Sequence, residues 1–178
     1  MSLILFPRSC IHHTCCAQEF SCPKCGDKRP FSFFTSFLND VLGPELAELA
    51  RRRNDGETKG SALLCRALSE RLGKTLHDFH EALYVSLPLM SHLCEYDGDL
   101  VMATRYAHVR LEVLQSVTSA LSLEKMDMHR RLSRLLEMRA ADSTLPQQLR
   151  EGFMRKAEEH KRIAEECRMV CLGSRGLI

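Results

Sequence analysis

From about residue 36 onward, apolar side chains recur every three or four positions in blocks separated by short polar turns, and this rhythm restricts the chain to stacked amphipathic helices. In one block Leu76, Phe79, Leu83, Leu87, Met90 and Cys94 share a face, and Pro88 is expected to kink or divide it. In the next, Leu100, Ala103, Ala107, Leu111, Leu114 and Leu121 do the same over about 22 residues. The turn Tyr96-Asp97-Gly98-Asp99 between them is so short that the two stripes must fold against each other.

The remaining blocks follow the same logic. A helix is predicted from about Ser36 to Arg53, interrupted at Gly43-Pro44, and a loop follows at Asn54-Asp55-Gly56 and Lys59-Gly60. Ser61 is placed to cap a helix that carries Leu63, Leu64, Ala67 and Leu72 on one side and stops at Gly73. Thr75 with Asp78 reads as a capping box for the block after it. A helix over about 124–140 presents Met128, Leu132 and Leu135. Asp142-Ser143-Thr144 then caps a last long helix, with Pro146 in its first turn, a stripe of Leu149, Phe153, Ala157, Ile163, Cys167 and Cys171, and Gly173 at its end. No strand-length alternation follows residue 35, so a βαβ nucleotide-binding architecture is not expected. The expected fold is all-α, an array of antiparallel helical hairpins over 35–178, preceded by a short Cys-rich segment over 1–34.

That first segment holds five of the nine cysteines and two adjacent histidines. Cys22-Pro-Lys-Cys25-Gly26 has the bend that lets two thiolates reach one tetrahedral Zn²⁺, and two further ligands from Cys10, His12, His13, Cys15 or Cys16 would complete a zinc knuckle. Reduced cysteines without metal, or a redox pair, are the alternatives; a redox pair normally sits at a helix start beside a sheet. Cys65, Cys94, Cys167 and Cys171 fall within helical patterns, where a small buried hydrophobe is common. The histidines of His77-x2-His80 flank Phe79 and face solvent or a groove, as structural residues rather than metal ligands. Phe31, Phe33, Phe34 and Phe37 read as packing at a domain junction rather than as base-stacking residues.

Charge and targeting signals bound the partners. A balance of 25 Lys+Arg against 23 Asp+Glu gives +2, too little by itself to imply a nucleic-acid or membrane partner. Arg51-Arg52-Arg53 has Glu45, Glu48 and Asp55 beside it and reads as a solvated helix end. The opening Met1-to-Pro7 run is far shorter than the ~20 residues of a membrane span and lacks a basic flank, so a reducing cytoplasmic or nuclear setting is expected. There is no phosphate loop, Gly-x-Ser-x-Gly or His-Glu-x2-His, so catalysis has no motif behind it.

The stretch Leu93-Cys-Glu-Tyr96-Asp-Gly98-Asp99-Leu100-x2-Ala103-x2-Tyr106-x4-Leu111-Glu112 resembles the centre of a tetratricopeptide repeat, with Ser91 at the small-residue position of the first helix. The order of Phe20-x-Cys22-x2-Cys25, helices, Leu76-His77-x2-His80, the Gly-Asp turn and Phe153-x3-Ala157-x5-Arg162-Ile-Ala164 resembles the post-SET segment and C-terminal helical domain of SET and MYND domain-containing lysine methyltransferases. The resemblance covers about 15–178. It implies zinc on Cys22 and Cys25 and a helical domain that engages partners, with the family's cofactor-binding segments lying upstream, so that S-adenosylmethionine is not bound by this part alone. Phe20 stands where the family's pattern has a further cysteine.

The expected function is a non-catalytic protein-interaction module accepting a peptide or partner helix, with Tyr84, His92, Arg105 and His108 as groove residues. The alternatives are a zinc-containing nucleic-acid or chromatin factor using Arg51–Arg53, and a fragment or isoform of a lysine methyltransferase.

Overall fold

The turn at Asp97-Gly98-Asp99 organises most of what surrounds it. Gly98 takes a φ of 84°, a left-handed conformation that suits a residue without Cβ. Asp99 then caps the following helix, its carboxylate accepting from the Met102 amide at 3.1 Å. Asp97 points the other way and accepts from the amides of Gly60 at 3.0 Å and Ala62 at 2.9 Å, closing the start of a helix that lies earlier in the chain. Replacing Asp97 with alanine leaves two amides without an acceptor and is expected to cost about 1–2 kcal/mol in a urea titration. A loss below ~0.3 kcal/mol would show that this long-range cap is not formed.

A computed structural model of the chain describes residues 19–21, 28–75, 81–118 and 121–173. Cys10, His12, His13, Cys15, Cys16, Cys22 and Cys25, like His77 and His80, lie outside the described residues. A two-stranded antiparallel ribbon, β1 (Glu19–Ser21) and β2 (Lys28–Pro30), pairs Glu19 with Pro30 and Ser21 with Lys28. Then come α1 (Phe31–Ser36), a π-helical segment (Phe37–Leu42), α2 (Gly43–Asp55), α3 (Ser61–Thr75), α4 (Glu81–Tyr96), α5 (Leu100–Val117), α6 (Leu123–Ala140) and α7 (Gln147–Leu172). The architecture is all-α, as the apolar spacing predicts.

Two hairpins dominate the packing, α4 with α5 and α6 with α7, and α6 also lies along α5. Each hairpin uses the same close-approach device. Ser91 of α4 donates its hydroxyl to the Ala103 carbonyl of α5, and Ser133 of α6 donates to the Ala157 carbonyl of α7, both at 2.9 Å. All four residues are buried, because only small side chains let two helix backbones approach that closely. The principal core combines Leu68, Leu72, Leu87, Met90, Leu93, Leu132 and Leu135. Tyr106 ties α5 to α3 by donating to the Cys65 carbonyl at 3.1 Å.

Several local expectations are corrected. The helix expected from Ser36 begins earlier, at Phe31, and at Gly43 it changes from the π-helical segment to α2, with Pro44 in the first turn. Gly73 does not stop α3, which runs to Thr75, so Thr75 is helical and not the cap of a following helix. The buried face of α3 is Ala62, Cys65, Leu68 and Leu72, whereas Leu63, Leu64 and Ala67 are exposed. Pro88 sits inside an unbroken α4; in the turn before it, the Ser86 hydroxyl donates to the Leu83 carbonyl at 2.7 Å. The helix α5 ends at Val117, so Leu121 falls beyond it and is exposed. Asp142 accepts from the Thr144 amide at 2.9 Å in a local turn and does not cap α7, whose N-cap is Pro146. Leu149 and Cys171 are exposed, while Ala157 and Cys167 carry the buried stripe. Gly173, with φ of 66°, ends α7 as expected.

Candidate interaction groove

The face of α5 opposite its core side carries Val101, Arg105, His108 and Glu112 at spacings of four, three and four. Because α6 and α7 pack as a hairpin beside α5, this face looks onto a groove of about 440 Å³. Val109 of α5, Leu136 of α6 and Phe153 of α7 supply its apolar surface. Arg105, Arg139 and Lys156 supply one cation from each of the three helices, and Glu112 is the carboxylate in the lining.

Arg139 lies over the Phe153 ring, its guanidinium carbon 4.1 Å from the centroid, so charge and aromatic face stabilise each other. Burial pulls its pKa below the ordinary arginine value. None of Arg105, Arg139 and Lys156 is in an ion pair with any described residue. Elsewhere the arginines are heavily neutralised. Arg51 pairs with Glu48, Asp55 and Glu57, Arg66 with Asp99, Arg71 with Glu45, and both Arg131 and Arg134 with Glu95.

Behind the groove three histidines from three helices meet. The Nδ1 atoms of His129 (α6) and His160 (α7) are 2.7 Å apart, so one ring must donate and the other accept. The His108 ring centroid is 5.7 Å from that of His160. Burial, followed by the charge of His129, His108 and Lys156, brings the His160 pKa down to about 4. Burial also lowers His129, with Lys125 and His108 adding to the effect. His108 is lowered by burial against an opposing pull from Glu112. Among the described residues no group of three or more histidine, cysteine or acidic side chains is arranged to hold a metal ion.

No protein-family model and no curated protein matches the chain.

Of the residues picked as groove candidates, Arg105 and His108 come together here and the other two do not. Tyr84 on α4 donates its hydroxyl to Glu124 and lies under Arg110, whose guanidinium carbon is 5.0 Å from the ring centroid. Burial raises its pKa, and the bond to Glu124 adds to this. His92 packs against Tyr96 at 4.5 Å between centroids, its pKa lowered mainly by burial. Phe153 was legible only as a member of the α7 stripe. Arg139 and Lys156 carried no signal of their own, since only the crossing of α5 over the α6/α7 hairpin brings them to His108. Among the described residues no helix is long and apolar enough to cross a membrane.

Proposed function

We propose that the helical region is a non-catalytic protein-interaction module of the kind the C-terminal helical domain of SET and MYND proteins provides, and that it engages its partner through the groove between α5 and α7. One observation carries this reading: an apolar floor rimmed by cations from three helices that have no counter-ion among the described residues. Arg139 gives up part of its hydration against Phe153, and a partner carrying complementary charge would compensate it while also meeting the exposed Arg105 and Lys156. The Ser91–Ala103 and Ser133–Ala157 contacts support a repeated-hairpin origin for the scaffold.

The test uses the full chain with a photo-reactive residue replacing Val109 on the groove floor, and a control with the same residue replacing the exposed Val85 on α4. Protein adducts should form at position 109 and disappear when Lys156→Glu is added. Adducts that form equally at position 85, or that survive Lys156→Glu, would overturn the assignment of this groove.

The zinc knuckle is proposed alongside it. Cys22 and Cys25 follow the Cys-x2-Cys-Gly spacing of a zinc knuckle, and two further ligands from Cys10, His12, His13, Cys15 or Cys16 would complete a tetrahedral site. Metal analysis of the reduced, intact chain should find about one zinc per chain if that is so. The nucleic-acid alternative through Arg51–Arg53 has less behind it, because Arg51 and Arg52 are held by Glu48, Asp55 and Glu57.

A further inference from the structure

We propose that the occupant of the α5/α7 groove is an acidic peptide segment bearing a large aliphatic or aromatic anchor, the anchor seated on Phe153 and the carboxylates on Arg105, Arg139 and Lys156. The inference rests on the docking reading above and names the chemistry of what docks.

Charge complementarity carries it. The chain as a whole is close to neutral at +2, yet these three cations converge on one groove without a carboxylate bound to any of them among the described residues. Arg139 is the most telling. Its guanidinium is half-buried on an aromatic face, and among the described residues the ring is what compensates its loss of hydration. A carboxylate arriving there would supply the charge-assisted hydrogen bonds that the planar fork is built to donate. Arg105 and Lys156 are exposed and reach the same volume from α5 and α7, so a segment carrying two or three acidic residues can satisfy them in turn.

Size and shape separate a peptide from a nucleic acid. A volume of about 440 Å³ holds a few side chains. Its floor is mostly aliphatic, with two rings in the lining, His108 and a Phe153 already covered by Arg139, so no run of stacking faces is offered to successive bases. Glu112 places a negative charge in the lining, which a continuous phosphodiester would have to pass but a peptide with spaced carboxylates need not.

The test is fluorescence anisotropy of the full chain against a matched set of short peptides. The set holds an acidic peptide with a central Leu or Phe, the same peptide with every Asp and Glu changed to Asn and Gln, the acidic peptide with its anchor changed to Gly, and a single-stranded oligonucleotide of equal charge. The acidic anchored peptide should bind most tightly, losing roughly tenfold or more when neutralised and a similar factor when the anchor is removed. Lys156→Glu and Arg105→Glu alter exposed positions, so folding is retained; each should weaken the acidic peptide by about tenfold and strengthen a basic counterpart.

Equal affinity for acidic and neutral peptides, or tighter binding of the oligonucleotide, overturns the acidic occupant. A neutral peptide whose binding is lost on Phe153→Ala would do so while leaving the docking groove standing. Acidic peptide binding indifferent to Lys156→Glu and Arg105→Glu would place that binding elsewhere on the chain and defeat both readings.

Discussion

Leu132→Ala should lower the unfolding free energy by about 2–5 kcal/mol. Leu132 is fully buried on α6 and belongs to the core that α3, α4 and α5 build, while the same helix turns its other side to α7. The cavity left by three missing carbon atoms would therefore lie where the two hairpins meet, and neither hairpin can collapse into it without giving up its own close contacts at Ser91–Ala103 or Ser133–Ala157. Urea unfolding followed by far-ultraviolet circular dichroism measures this. The midpoint should fall with the slope unchanged. A loss under ~1 kcal/mol, or a second transition in the wild-type curve, would show that α6 does not join the hairpins into one cooperative unit.

The second large effect is an acid transition that begins well above the range where carboxylates titrate. His108, His129 and His160 are all held below the ordinary histidine value, mainly by burial, and His160 stands at about 4. Between the unfolded value of about 6.5 and these lowered values, the unfolded chain binds protons that the folded chain does not. Stability is thus fully present above about pH 6.5, falls as pH drops toward 4, and levels off below. Allowing for solvent screening of a half-buried ring, His160 alone should contribute a loss on the order of 1–2 kcal/mol.

The chemistry of the pair explains why it resists a second proton. One proton can be shared between the His129 and His160 Nδ1 atoms at 2.7 Å, but a doubly protonated pair has no acceptor and faces two like charges. Glu48, kept at about 2 by its bonds to Arg51 and Arg52, titrates well below this window and does not obscure it. Urea midpoints at pH 7.5, 6 and 5 should therefore drop steadily. In a His129→Phe, His160→Phe double variant the decline should flatten, and an unchanged slope would place the titration elsewhere.

What could be read from the residues depended on whether the deciding contact was local. The turn at Asp97-Gly98-Asp99 and the stripes of α5 and α6 were legible because the cap, the left-handed glycine and the apolar spacing all lie within a few residues of one another. In α3 four apolar residues run consecutively from Ala62 to Cys65, so periodicity alone does not fix the face. Docking against α4 and Tyr106 chooses Cys65, Leu68 and Leu72 and leaves Leu63 and Leu64 outside. Thr75 shows the opposite failure, since a sequence that can cap a helix can also be carried along inside one.

The groove was half visible. Arg105 and His108 are three residues apart on one helix face, which marks them as neighbours before any coordinates exist. Arg139 and Lys156 join them only through the angle at which α6 and α7 lie against α5, and no short-range signal encodes that angle. Tyr84 and His92 were plausible on exposure grounds alone; the packing turns Tyr84 toward Glu124 and Arg110, and His92 toward Tyr96.

The carboxylate that receives the Gly60 and Ala62 amides comes from the far side of α4, thirty-seven and thirty-five positions downstream. During synthesis the start of α3 must therefore wait for that later stretch to emerge before its amide ends are satisfied. A truncation anywhere ahead of Asp97 would leave α3 frayed however well its own residues favour helix, and a self-sufficient N-terminal piece must reach at least through Val117.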